Sequence, residues 1–314
     1  MKTKSKLFIT SYWHRHLRIA FKYGSFRKLF NFVKAYWFFK KSKTVINSMP
    51  AFLKVEISRK CTIKCKYCEM IATKHNTFYP FPLFKQMINR LADYVFEVSL
   101  YDIGEPLENN ELVDFIRYAH ERNVGTIIST SLSIRKQDKF WEELVLSGID
   151  RIIVAIDGVS DEVYTQYRTL GNLSLVLSNL ERLIYYKTKH NKKVYIEWQM
   201  LDLPWNKTEQ NAAKEMSRIM GCSGFTLVNE AVLPRLENDK VNLIREKNCI
   251  LPYIILIINS LNQVRACYKI YHEDMILGDL NRLSFEEIWN GPEIAWIRDK
   301  KRICSRKGCR TCRE

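Results

Sequence analysis

From Phe52 onward, short β-rich runs alternate with stretches in which apolar residues recur every three to four positions. That alternation predicts βα units around a parallel sheet, because parallel neighbours need a crossover between them. Six strands are predicted: Phe52–Ser58, Phe96–Asp102, Val124–Thr130, Asp150–Asp157, Lys193–Met200 and Gly224–Asn229. The helical period predicts helices over Leu83–Val95, Glu111–Arg122, Arg135–Ser147, two pieces between Asp161 and Lys187, and Lys207–Met220. After about Ala231 come a charged linker, a hairpin-like pair of runs (Tyr253–Ile258 and Val264–Ile270), a helix near Ser284–Trp289 and a basic Cys-rich tail. Six units predict an open partial barrel or a doubly wound sheet, between which periodicity does not choose. In either, the site is expected at the carboxyl ends of the strands.

Residues 1–48 break this pattern. They hold twelve Lys and Arg and twelve aromatics, and the first carboxylate is Glu56. This arm therefore carries most of the net charge of +16, and the body is close to balance. On a helix from Ser25 to Lys40, Phe26, Leu29, Phe30, Val33 and Trp37 share one face, and Arg27, Lys28, Asn31 and Lys34 mark the other. A membrane-surface helix has this pattern, and so does a helix packed on the barrel with a solvated basic face. No recognised nucleic-acid-binding module is present, which argues against nucleic acid.

The longest uncharged apolar run, Cys249–Ile258, is about half the roughly 20 residues a spanning helix needs. With no export signal, the expectation is a cytoplasmic chain, with residues 1–48 offering a peripheral contact to the inner membrane face. Its nine cysteines then read as reduced, metal-binding thiols rather than disulfides.

Cys61, Cys65 and Cys68 form a CxxxCxxC in one short polar loop after the first strand. A structural zinc site is the competing reading, but it takes four ligands. Three thiolates on a [4Fe–4S] cluster leave one iron open.

This spacing, with Tyr67 before the last Cys, resembles the signature of the radical S-adenosylmethionine superfamily over roughly Phe52–Asn229. Further stretches fall in register. Gly104-Glu105-Pro106 follows strand two and resembles the family's GGE-type motif, whose backbone and Glu hold the methionyl amino group. Ile156-Asp157-Gly158 follows strand four and resembles the SIDG element near the ribose, with Ala155 in place of Ser. Tyr167-Arg168 with Gly171 resembles a YR-x-x-G stretch, whereas Thr130-Ser131-Leu132 replaces the usual TNG. The resemblance implies an α/β fold with a partial (β/α)6 TIM-like barrel over 49–232. It also implies a SAM-binding [4Fe–4S] cluster on Cys61, Cys65 and Cys68, S-adenosylmethionine contacts from Tyr67, Gly104, Glu105, Pro106, Asp157 and Arg168, and a reductant such as flavodoxin or ferredoxin. The expected barrel has apolar strands, suited to shielding a radical.

Cys249, Cys267, Cys304, Cys309 and Cys312 follow the barrel. Four of them can close a second cluster, and a zinc ribbon is the alternative. With Gly278-Asp279-Leu280 and Ser284-Phe285-Glu286-Glu287-Ile288-Trp289, the region resembles the SPASM/twitch extension. The resemblance implies one auxiliary [4Fe–4S] cluster over 233–314, on Cys249, Cys267, Cys309 and Cys312 with Cys304 as a substitute, and a link to aminoglycoside dehydrogenases. The expected activity is hydrogen abstraction from a small polar substrate of the sugar or lipid-linked glycan type. The rivals are a maturase of ribosomal peptides and a non-catalytic zinc-binding interaction module.

Overall fold

The computed structural model describes residues 16–66, 68, 76–229, 249–265 and 276–299. Six parallel strands form its centre: β1 (Phe52–Val55), β3 (Glu97–Ser99), β4 (Gly125–Thr130), β5 (Arg151–Ala155), β7 (Tyr195–Asp202) and β8 (Gly224–Asn229). They lie side by side in chain order, the order that results when each crossover is right-handed and sets its helix on the same face of the sheet. Those helices are α3 (Phe81–Leu91), α4 (Leu112–Glu121), α5 (Asp138–Leu146), α6 (Asp161–Tyr167), α7 (Leu173–Lys189) and α8 (Gln210–Met220). All six predicted strands are present. The first is shorter than expected, because after Val55 the chain leaves the ladder to carry the Cys61 loop.

Alternation along the strands decides what each face does. Leu53, Val55, Val98, Ile128, Ile152, Val154, Ile196 and Trp198 point into one large core with the apolar stripes of α3 to α8. The other face is not the apolar lining expected from the sequence. It carries buried Glu56, Glu97, Arg151 and Glu197 and half-buried Lys54, paired among themselves and with neighbouring elements. Burying such charges is tolerated only with partners, and they have them.

The amino end of this inner face is closed by the chain's own beginning. Residues 16–23 are helical (α1), and Ile19 and Tyr23 pack on Ile127 and Ile153. Gly125 makes room, since a Cβ there would stand 2.2 Å from the Ile19 side chain. His16 shares a 2.6 Å hydrogen bond with Glu97, and Lys22 donates to Asp150 at 2.6 Å.

The next helix, α2 (Phe26–Lys40), reverses the expected orientation. Its buried positions are Lys28, Asn31, Ala35 and Phe39, and the Phe26–Trp37 stripe faces outward. Backbone partners make this possible. Asn31 exchanges two hydrogen bonds with the Met49 backbone, at 2.8 and 2.9 Å, and Lys28 donates to the Asn123 carbonyl. Burial lowers the Lys28 ammonium to about 8.

After residue 249 the chain adds to the same sheet. Leu251–Ile254 forms a helical turn (α9), so only part of the first predicted hairpin run is strand: β9 (Ile255–Ile258), parallel to β1. β10 (Gln263–Arg265) and β11 (Ile276–Asp279) continue antiparallel. α10 (Phe285–Trp289) starts in a capping box between Ser284 and Glu287, and α11 (Pro292–Arg298) follows. Arg298 is buried here, donating to the carbonyls of Trp289 at 2.8 Å and Pro252 at 3.0 Å, and burial lowers it to about 9. Among the described residues, no helix is long and apolar enough to cross a membrane.

Candidate functional site

The cysteine loop is anchored by its own short ladder. β2 (Lys64–Cys65) pairs antiparallel with β6 (Arg168–Thr169), which sets Cys65 directly opposite Arg168. Arg168 uses both ends of its guanidinium: Nε donates to Asp157 Oδ2 at 2.7 Å and Nη1 to Cys65 Sγ at 3.3 Å. Although burial opposes its charge, Asp157 and Cys65 hold the Arg168 guanidinium well above its ordinary value. Asp157 is fixed from the other side by the Leu201 amide at 2.7 Å. Thus the predicted cluster loop and the Asp157 and Arg168 positions meet at the carboxyl ends of β5 and β7.

Cys61, Cys65 and Cys68 share an apolar shell with Ile63, Tyr167, Leu201, Leu203 and Trp205, and no disulfide joins them. Burial pushes the Cys61 thiol up to about 12, and the nearby charges of Glu105, Cys65 and Cys68 add to the shift. A thiol held protonated in this way ligates as a thiolate only beside a cationic centre. Among the described residues, no three His, Cys, Asp or Glu side chains converge as around a single ion. In a [4Fe–4S] cluster each thiolate takes a different iron, so the soft donor set suits that group.

The Gly104-Glu105-Pro106 turn stands beside this loop. Gly104 has φ +91°, and a Cβ there would lie 2.4 Å from the Ser58 carbonyl oxygen, so the close approach requires glycine. The Glu105 amide donates to the Lys60 carbonyl at 2.8 Å, tying the turn to the residue before Cys61. The Glu105 carboxylate turns toward β4. It accepts from Thr130 Oγ1 at 2.6 Å, the Ser131 amide at 2.8 Å, Ser131 Oγ at 2.7 Å and the Leu107 amide at 3.1 Å. Burial raises its pKa against these donors. The loop that lacks the TNG sequence therefore does supply polar contacts, and they orient Glu105 by saturating its acceptors. Pro106 opens a single 3₁₀ turn, Pro106–Glu108, that ends the motif.

A second charged group went unread in the sequence. Asp102, two residues before Gly104, accepts from Lys54 Nζ at 3.0 Å and pairs with Arg265 of β10. Although burial works against ionisation, Lys54 and Arg265 hold the Asp102 carboxyl below its ordinary value, and Asp102 in turn holds the Lys54 ammonium above its own. Beside it, Glu56 accepts from Arg59 Nε at 2.7 Å and Ser260 Oγ at 2.7 Å. Glu197 pairs with Arg151 and accepts from Thr226. The signal was present: charges at alternate positions of strands otherwise rich in Val and Ile. Cys249 is half-buried just before α9, whereas Tyr67, Cys267, Cys304, Cys309 and Cys312 lie outside the described residues.

Comparison with known proteins matches this architecture at both ends. Residues 55–195 match the radical SAM superfamily, and residues 249–313 match SPASM, an iron–sulfur cluster-binding domain. GTP 3',8-cyclase of Clostridium perfringens is 25% identical over 165 residues, covering 50% of this chain and 49% of the cyclase. The chain spans about half the length of the curated relatives it matches. Among solved structures, Streptococcus suis SuiB superposes with a TM-score of 0.67 at 12% identity, over 84% of this chain and 71% of SuiB. BtrN, in complex with AdoMet and 2-DOIA, superposes with a TM-score of 0.51 at 17% identity, over 81% of this chain and 87% of BtrN. With a thiol trio and its anchoring turn at the strand ends, this chain belongs to the radical S-adenosylmethionine superfamily, with a SPASM iron–sulfur extension after its barrel.

Proposed function

We propose that this radical SAM enzyme is a dehydrogenase-type oxidoreductase acting on a small polar molecule of the sugar or lipid-linked glycan type. Cys61, Cys65 and Cys68 hold the SAM-binding cluster. Cys249, Cys267, Cys309 and Cys312, with Cys304 as a substitute, hold the auxiliary one. When bound and reduced, the [4Fe–4S] cluster supplies the electron that cleaves S-adenosylmethionine, giving the 5′-deoxyadenosyl radical that takes hydrogen from substrate carbon, with the auxiliary cluster taking the second electron. The Gly104–Pro106 turn shapes the methionyl end of the cofactor site, and Tyr67, Asp157 and Arg168 shape its nucleoside end. Arg168 also donates a hydrogen bond to the Cys65 sulfur. Rigid orientation and exclusion of competing hydrogen donors are what the protein adds.

The observation that carries the substrate class is the charged inner face. Lys54, Asp102 and Arg265 offer fixed charged groups to hydroxyl and amino groups near the strand ends where the cluster loop sits. An apolar substrate would leave those groups poorly matched.

Anaerobic purification should yield about eight irons per chain for two cubane clusters. With a one-electron reductant, S-adenosylmethionine should be converted to 5′-deoxyadenosine. Mass spectrometry of treated small-molecule extracts should show a product about two mass units lighter, the mass of the two hydrogen atoms a dehydrogenase removes. Stoichiometric zinc without iron would reject the reading. The same mass loss on a peptide, with none among small molecules, would replace the substrate class with that of a maturase.

A further inference from the structure

The outward face of α2 carries a row of large apolar side chains that is left uncovered among the described residues. Phe26 is 87% exposed, Phe30 59% and Trp37 50%, with Leu29, Val33 and Tyr36 exposed between them. Phe21 of α1 is exposed as well, at 85%. The helix is held firmly on its other side. Arg27 bonds Asp93 at 2.7 Å, Phe32 packs edge-on to Phe52 and Phe96, and Phe39 meets Tyr253. Exposure here is thus a property of a docked helix and not of a loose one. Soluble surfaces rarely leave so many large side chains in one row without a partner.

Charge selects the occupant. Arg18, Lys40, Lys41 and Lys43 are exposed around the stripe, Lys22 and Arg27 are exposed there too but pair with Asp150 and Asp93, and no carboxylate occurs before Glu56. A second copy docked face to face would bring these like charges together. A layer of lipid phosphates would neutralise them while its acyl boundary took Phe26, Phe30 and Val33, with Tyr36 and Trp37 at headgroup depth. We propose that the outer face of α2, with α1 beside it, docks this protein peripherally on an anionic phospholipid bilayer.

This docking goes beyond the enzymatic reading and fixes an orientation. The anchors of α1 and α2 are residues at the amino ends of β1, β3 and β4, whereas the cluster loop, Asp102 and Asp157 follow the carboxyl ends of their strands. The docked protein therefore turns its mouth away from the bilayer, toward soluble substrate or a headgroup extended well above the surface.

The test is co-sedimentation of the full chain with vesicles of phosphatidylcholine alone, or with about a third phosphatidylglycerol to supply anionic charge. Binding is expected to the anionic vesicles, falling steeply with salt. Phe26→Ser, Phe30→Ser and Trp37→Ser together should weaken it by at least about tenfold, with an unchanged melting temperature because these side chains lie outside the core. Lys40→Glu with Lys41→Glu should weaken binding to anionic vesicles and flatten its salt dependence. No binding to anionic vesicles, or equal binding by the triple variant, overturns the proposal. So does a dimer in sedimentation velocity that the triple variant dissociates, since the stripe would then belong to a second copy.

Discussion

The two ends of the barrel differ in the interaction that closes them. At the amino end, Ile19 and Tyr23 enter the inner face and close on Gly125, Ile127 and Ile153 by apolar packing. At the carboxyl end, Asp102, Glu105, Asp157 and Arg168 are held by directional bonds between loops that follow different strands. Packing seals without demanding precise placement, whereas hydrogen-bonded ion pairs fix groups in one arrangement at the cost of desolvation. A radical enzyme needs both: a floor that admits no solvent, and a mouth whose groups do not wander.

The largest expected effect tests the mouth. Cys65→Ala removes the thiol that Arg168 faces, and 5′-deoxyadenosine formation should fall to background, with about half the iron retained by the auxiliary cluster. Cleavage persisting in that variant would show that the loop is not the cluster site. Next comes Asp102→Asn, which leaves Lys54 and Arg265 buried without their counter-charge and should cost about 3–5 kcal/mol in chemical denaturation. The pH dependence has a definite sign. The folded-state pKa of Asp102 lies below its ordinary value of 3.8, so its contribution is fully present above that value and is lost as pH falls through the lower, folded one. The stability gap between wild type and variant should be flat above about pH 4 and narrow below it. A gap that widens in acid would contradict the assignment.

What the sequence revealed follows the same division. Strand order and the cluster loop were legible because both are local: short β-rich runs between helical stretches announce β1, β3, β4, β5, β7 and β8, and a CxxxCxxC is complete within eight residues. The charged inner face was not, because its meaning lies in pairs far apart in the chain. Asp102 and Arg265 are 163 residues apart, and neither position reveals the other. Glu105 was legible as part of a motif but not as the acceptor of Thr130 and Ser131, 25 and 26 residues on. The arm was misread for a related reason. Amphipathicity assigned Lys28 and Asn31 to solvent, yet backbone carbonyls of Asn123 and Met49 offset their burial, and the apolar stripe was left outside.

A moderate effect tests the floor. Gly125→Ala places a methyl group 2.2 Å from Ile19 Cγ2 and 3.0 Å from the Tyr23 ring, so α1 must shift. Overpacking of this kind costs about 1–3 kcal/mol. Hydrogen exchange should accelerate at residues 16–23 while the β4 and β5 amides stay protected. Adding Ile19→Ala should restore part of the loss, since the new methyl then occupies the space vacated. If the amides of α1 remain as protected as in the wild type, the floor is more plastic than the packing implies.

The smallest expected effect discriminates most finely between the two kinds of construction. Arg168 serves Asp157 and Cys65 at once, and Lys can keep the charge and the Asp157 pair but not the second, fixed N–H. Hydrogen bonds to cluster sulfurs stabilise the more negative, reduced state. Arg168→Lys should therefore keep full iron content but lower the midpoint potential of the SAM-binding cluster. An electron-paramagnetic-resonance redox titration reads that shift directly. In assays, S-adenosylmethionine cleavage by the variant should fall further below that of wild type with a weak reductant than with a strong one. A potential unchanged or raised would mean that the guanidinium acts on Asp157 alone, and the Cys65 contact would be packing, like the floor, rather than tuning.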